Sequence, residues 1–293
     1  MSTLIQVSEH CYYLPGATKA GVVQTAPHEA WLIDSGNDKS TARALLRELT
    51  ARDWQLRGIL NTHSHADHIG GNNYLQSRTL CRIYAPEIEQ AFTCHPILEP
   101  SFLYGGNPTA ALRNKFLMAQ PSRAELLSPE VLPPGVGVIP LPGHSYNMVG
   151  YRTQDNVVYL ADSVAAPATL QKYRICFLYD VAAYLRTLDM LESLQAQLFI
   201  PAHAEPTDDL RALTRCNREH IHELAENIVT LCSAAPLSAD ELVTRLYRRW
   251  QLPLSMEQYV LAGSTLRSYL TWLSENGRLA PICSDERLLW AKV

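Results

Sequence analysis

Residues 62–68 read Thr-His-Ser-His-Ala-Asp-His, and no other stretch restricts the fold as tightly. Three imidazoles and a carboxylate so close together are hard to bury for packing alone, because each polar group taken from water without a partner costs free energy. Imidazole and carboxylate are also preferred ligands of zinc and other divalent transition metals, and a bound cation would offset that cost. The flanks suit a scaffold for such a site: apolar Ile59 and Leu60 come before, and Gly70 and Gly71 follow. A surface histidine cluster is the blander reading, and the order of strand, donors, glycines and helix argues against it.

The spacing predicts the geometry. If 56–62 is a strand, the chain is still extended at His63 and His65, whose side chains then point the same way and can grip one ion. Asp67 and His68 follow where the chain must turn, and their diverging side chains are available to a second ion. More donors are needed, and three apolar, strand-like runs end in one. Val138 to Gly143 leads to His144, Val157 to Ala161 leads to Asp162, and Leu198 to Ala202 leads to His203. None is decisive alone, since a loop residue, a cap or a turn former reads the same way. Their common placement at strand ends, which are rigid supports, joins them. A fourth run, 30–33, ends at Asp34-Ser35-Gly36. Without a histidine beside it, Asp34 suits either a plain turn or a supporting role, hydrogen bonded to the histidine loop.

Asp34, His63-x-His65-x-Asp67-His68, His144, Asp162 and His203, in this order, resemble the metallo-β-lactamase fold superfamily over roughly residues 1–210. The resemblance implies one metal on His63, His65 and His144 and a second on Asp67, His68 and His203. Asp162 and a water or hydroxide would bridge them, with Asp34 in support. It also implies an α+β fold, the four-layer αβ/βα sandwich. Asp162 stands where class B1 lactamases carry cysteine, and His65 where the diiron flavoproteins of this fold usually carry glutamate. The set is therefore most similar to glyoxalase II and its relatives. Two divalent ions are expected, zinc first, although iron and manganese also suit nitrogen and oxygen donors.

Hydrophobic periodicity places strands at 4–14, 20–25, 30–34, 56–62, 80–85, 136–141, 148–153, 156–161 and 197–201, and helices at 40–49 and 180–195. Residues 95–121 interrupt the pattern, with a short helix expected through Leu112, Phe116 and Leu117. From 208 onward the composition turns helical: a long helix, a second from Ser238 to Trp250, and a third from Ser255 to Asn276 before Gly277. Residues 279–293 read as a two-stranded wing. The chain thus divides into a catalytic domain, 1–207, and a winged-helix-like module, 208–293. Such a tail occurs in one hydrolase clade of the superfamily, which includes an endoribonuclease. Packing or homodimerisation is the favoured role for it here, because Arg245, Arg248 and Arg249 are offset by Asp240 and Glu241.

A net charge of −4 with no basic run leaves no electrostatic footprint for nucleic acid. No stretch approaches the roughly 20 apolar residues that span a bilayer, and the first residues lack a charged segment followed by an apolar core. Seven scattered cysteines without a Cys-x-x-Cys fit free thiols in a reducing compartment, so a cytoplasmic location is expected.

The expected reaction is hydrolysis of a small ester, thioester or lactone by a hydroxide shared between two ions, with Asp67 orienting the nucleophile. The alternatives are a persulfide dioxygenase with a single iron and a metal-dependent endoribonuclease. Phe102 and Tyr104 in the 95–121 interruption, and Tyr173, Arg174 and Tyr179 after Asp162, are candidate walls of the substrate pocket. Ser64, Ser145 and Ser163 flank candidate ligands but none has a free base beside it, which disfavours a serine nucleophile. His220 and His222, two apart on a helix, diverge and cannot chelate one ion.

Overall fold

The computed structural model describes residues 3–293. The first part of the chain runs β1 (Ile5–Gln6), β2 (Cys11–Leu14), β3 (Ala20–Ala26), β4 (Glu29–Ile33), α1 (Lys39–Ala51), β5 (Gln55–Leu60), α2 (Ala66–Ile69), α3 (Asn72–Thr79), β6 (Arg82–Ala85), α4 (Glu87–Cys94), α5 (Leu98–Tyr104) and β7 (Ala124–Leu126). These strands form one sheet in the order β1-β2-β3-β4-β5-β6-β7. A second sheet follows, built from β8 (Val136–Pro140), β9 (Val149–Thr153) and β10 (Val157–Ala165), then α6 (Pro167–Tyr173) and α7 (Val181–Ser193), then β11 (Leu198–His203). Its order is β11-β10-β9-β8, with β10 and β11 parallel. The chain ends with α8 (Arg211–Ala234), α9 (Ala239–Arg249), α10 (Met256–Glu275) and a hairpin of β12 (Leu279–Ser284) and β13 (Arg287–Lys292).

Alternation along the strands builds the layers, because successive side chains leave opposite faces. Tyr13, Val23, Ile33 and Leu60 on one sheet meet Val149, Tyr151, Val157 and Tyr159 on the other, which closes the sandwich. The opposite faces of the first sheet, Val22, Leu32 and Ile59, pack under Leu45 and Leu49 of α1 and Leu75 of α3. Those of the second, Val158 and Phe199, pack under α7, α8, α9 and α10 through Leu188, Ile228, Leu246 and Leu270. This is the expected four-layer α+β arrangement. The apolar cluster continues without a break from Leu141 to Leu279, so residues on both sides of position 207 share one core. Ser238 starts α9 with a capping box, accepting from the Glu241 N–H while its own N–H reaches the Glu241 carboxylate.

Four expectations need correction. The strand expected over 4–14 is two, because Asp155 draws in the Ser8 hydroxyl and the His10 N–H and the chain turns between β1 and β2. β5 stops at Leu60, short of 62. The helix expected through 112–117 is a single 3-10 turn, Ala110–Leu112, while the helical part of that segment is α5. Finally, β10 does not stop at Ala161 but continues to Ala165 through an irregularity at Ala161, whose φ is 50°.

The shared core has a measurable consequence. Leu270→Ala, a fully buried truncation in α10, is expected to cost about 2–5 kcal/mol. It should shift one cooperative urea transition followed by both circular dichroism and tryptophan fluorescence. Two separated transitions, with only one of them moved, would contradict a continuous core.

Candidate metal centre

Asp34 sits just past β4 with a positive φ of 60° and ties that strand end to the histidine loop. Its N–H donates to the Leu60 carbonyl at 3.0 Å. Its Oδ1 accepts from the Thr62 N–H at 2.8 Å, and its Oδ2 accepts from the Thr62 hydroxyl at 2.7 Å. The same Oδ2 lies 2.7 Å from His68 Nδ1. The Thr62 hydroxyl, donating to Asp34, is left to accept from His63 Nδ1 at 3.0 Å. Both rings are thereby turned with Nε2 toward the centre. Gly70 allows the turn, since a Cβ there would lie 2.2 Å from the Asn37 carbonyl oxygen.

The other donors arrive from the second sheet. His144 is carried by the loop after β8, where Gly143 (φ 120°) lies so close to α7 that a Cβ would stand 2.3 Å from Tyr184 N. The irregularity at Ala161 aims Asp162 into the same space, a common use of a break in strand register. His203 ends β11, and its Nδ1 donates to the Ala17 carbonyl at 2.8 Å.

All seven donors anticipated from the sequence come together. His65 Nδ1 lies 3.0 Å from His63 Nε2 and 2.9 Å from His144 Nε2. Asp162 Oδ1 is 3.0 Å from His68 Nε2, and its Oδ2 is 3.3 Å from His144 Nε2 and 3.2 Å from His203 Nε2. Asp67 Oδ2, which accepts from the Thr18 hydroxyl at 2.7 Å, lies 3.3 Å from His203 Nε2. These atoms form three sets able to hold a cation: His63, His65 and His144; His63, His68 and Asp162; and Asp67, His68 and His203.

The chemistry of the cluster fits a pair of divalent cations. His68 Nε2 and Asp162 Oδ1 are buried with no hydrogen-bond partner among the described residues, a costly arrangement that cations between them would relieve. Burial, helped by neighbouring imidazoles, holds His63 well below its usual range. Burial also lowers His65 to about 4 and His144 to about 3, so these rings stay neutral and have lone pairs to offer. Burial opposes the charged form of His68 and His203 too, but the carboxylates around them win. Asp162, Asp67 and Asp34 hold His68 well above its usual range, and Asp162 and Asp67 hold His203 at about 10. In return the histidines keep Asp67 and Asp162 well below the ordinary carboxylate range despite burial.

A cavity of about 630 Å³ opens on Asp67, His144, Asp162 and His203. Its walls include Phe177 and Leu170, with Leu261 and Tyr269 contributed by α10. Of the five residues expected to line it, only Tyr173 does. Arg174 turns its guanidinium over the Trp250 ring and toward Glu223. Phe102, Tyr104 and Tyr179 line a neighbouring groove beside Arg267 and Thr271, because the Phe102, Tyr146 and Tyr179 rings pack against one another. His220 stands on the cavity wall with Nε2 donating to the Arg174 carbonyl, and it belongs to none of the donor sets. His95 merely caps α4.

Several contributors carry no signature in the sequence. The Phe177 ring lies 5.2 Å from His65 and 5.8 Å from His144. The buried Glu99 carboxylate, 3.7 Å from His65 Nε2, is pushed up to about 8 by burial and by the neighbouring Glu89 charge.

A sequence profile of the metallo-beta-lactamase superfamily matches residues 13–203. The chain belongs to that superfamily. The fold of the whole chain recurs in solved structures. A beta-lactamase domain protein from Burkholderia ambifaria superposes with a TM-score of 0.78 at 20% identity, covering 99% of this chain and 93% of the other. A metallo-beta-lactamase family protein from Thermus thermophilus gives 0.71 at 18% identity, over 100% and 98%. Among curated proteins the matches are short. The hydroxyacylglutathione hydrolase of Methylococcus capsulatus is 46% identical over 46 residues, 16% of this chain and 18% of that protein. That of Methylobacillus flagellatus is 44% identical over 61 residues, 20% of this chain and 24% of that protein. The chain thus spans about a fifth of the length of these curated relatives.

Asp34→Asn should lower zinc affinity about 10- to 100-fold, because an amide has one acceptor oxygen and its NH2 must face either the Thr62 N–H or the Thr62 hydroxyl and His68 Nδ1. His220→Ala should leave zinc affinity unchanged. Competition against a chromophoric chelator measures both, and an Asp34→Asn protein with undiminished affinity would remove Asp34 from the support of the centre.

Proposed function

We propose that this chain is a metal-dependent hydrolase of small ester-type substrates, with thioesters as the leading class. The observation that carries the reading is the opening of one apolar-walled cavity directly onto Asp67, His144, Asp162 and His203. The short matches to hydroxyacylglutathione hydrolases support the thioester choice. In this reading His63, His65 and His144 would hold one cation, Asp67, His68 and His203 would hold the other, and Asp162 would be within reach of both. Zinc is the metal proposed. Two such ions supply Lewis acidity, which makes water a nucleophile near neutral pH and polarises the scissile carbonyl.

The chain's own groups do the rest. Asp67 Oδ2, fixed by the Thr18 hydroxyl, keeps one carboxylate in place to orient the attacking water. Asp34 lies 2.7 Å from His68 Nδ1 and so fixes the ring with Nε2, once a cation displaces its proton, as the ligand atom. Phe177 and Leu170 shield the reacting group from bulk solvent, which strengthens electrostatic interactions at the centre. Leu261 and Tyr269 extend the wall, so α10 takes part in substrate selection.

The test is a panel of substrates given to the zinc-loaded protein: a hydroxyacyl-glutathione thioester, simple esters, a lactone, single-stranded RNA, and glutathione persulfide with oxygen monitored. Thioester or ester turnover is expected, lost on chelation and reduced at least about 100-fold in Asp162→Ala together with metal content. Oxygen uptake with one iron per chain would replace hydrolysis by dioxygenation. Salt-sensitive RNA cleavage would move the substrate class to nucleic acid.

A further inference from the structure

Glu89 belongs to none of the donor sets, yet it joins the two loops that carry His63, His65 and His144. It lies in the first turn of α4 and is fully buried. Its Oε2 accepts from the Ser64 N–H at 3.0 Å and from the Ser64 hydroxyl at 2.6 Å. Its Oε1 accepts from the Ser145 hydroxyl at 2.7 Å and from the Asn147 N–H at 3.1 Å. A further bond, from the Ile88 N–H to Asn147 Oδ1 at 3.3 Å, fastens the same turn of α4 to the second loop. Ser64 follows β5 of the first sheet, and Ser145 follows β8 of the second. One carboxylate therefore spans the two sheets at the edge where the donors meet. Two of the three serines that flank candidate ligands, Ser64 and Ser145, serve this clamp, which explains their presence without any nucleophilic role.

Burying a carboxylate is expensive, and an apolar side chain would fill the same volume without that cost. The four donors compensate Glu89, and each is attached to a residue next to a candidate ligand or a few positions from it. We propose that Glu89 is a positioning residue that sets the spacing of the His63, His65 and His144 donors and so shapes one of the two metal subsites. This inference rests on the metal-centre reading above. The other subsite hangs on different supports: Thr18 for Asp67, Asp34 for His68 and the Ala17 carbonyl for His203. Loss of Glu89 should therefore act on one subsite.

Glu89→Gln keeps the shape but replaces one acceptor oxygen with an amide that faces two donors, so one loop must let go. The experiment is a Co2+ titration of the demetallated 293-residue protein, followed by visible absorption, with wild type, Glu89→Gln and Ser145→Ala compared. Wild type should take up two ions per chain. In Glu89→Gln, one binding step should weaken about 10- to 100-fold while the other keeps its wild-type affinity and the far-ultraviolet circular dichroism is unchanged. A merely structural role would weaken both steps alike, and that result, or two steps of wild-type affinity, overturns the proposal. Should Glu89→Gln not fold, Ser145→Ala, which removes a single donor, is judged by the same criterion. A wild-type protein that binds no cobalt would instead overturn the metal centre itself.

Discussion

The constraint on which this structure turns is the burial of His68 Nε2 and Asp162 Oδ1, an ion pair 3.0 Å apart with no well-directed hydrogen bond to any described residue. A folded chain rarely leaves such atoms unsatisfied, because each costs a few kcal/mol. The electrostatics divide the cluster into halves. Burial keeps His63, His65 and His144 neutral, whereas the surrounding carboxylates hold protons on His68 and His203. Cations in this space would take the place of those protons and satisfy both orphaned atoms. The concentration of negative charge that retains protons is the same one that would attract metal.

The sandwich exists, in effect, to bring loops from two sheets to one edge. β4 and β5 deliver Asp34 and the 62–68 segment from the first sheet, and β10 and β11 deliver Asp162 and His203 from the second. Neither sheet holds a complete set of donors. The inner faces, which meet through Ile33, Leu60, Tyr151 and Tyr159, therefore determine how far apart the donors stand. The helices of the last third pack on the outer face of the second sheet and supply part of the cavity wall. Fold and site are thus coupled through one apolar core as well as through hydrogen bonds.

Much of this was legible in the sequence because it is local or periodic. Histidines two apart on extended chain had to share a direction, and apolar runs ending in His144, Asp162 and His203 marked strand ends. Asp34, a carboxylate at a strand end with no histidine of its own, read equally as a turn former or a support, and only the family resemblance favoured support. What escaped is set by packing between distant segments. Glu89 and Glu99 look like ordinary acids on helix faces, and nothing in their spacing says that they are buried beside the centre. The break at Ala161 carries no glycine to announce it. The pocket walls were misjudged for a related reason. Aromatic residues close in sequence to Asp162 were expected to face it, but Tyr179 joined a ring cluster with Tyr146 and Phe102, Arg174 found Trp250, and the wall came instead from Phe177 and from α10.

The most direct test of the account is anomalous X-ray diffraction from crystals of the zinc-loaded protein, recorded on both sides of the zinc absorption edge. The account predicts two peaks, one among His63, His65 and His144 and one among Asp67, His68 and His203, with Asp162 in contact with both. Zinc peaks elsewhere in the molecule, or none within this cluster at full loading, would contradict it.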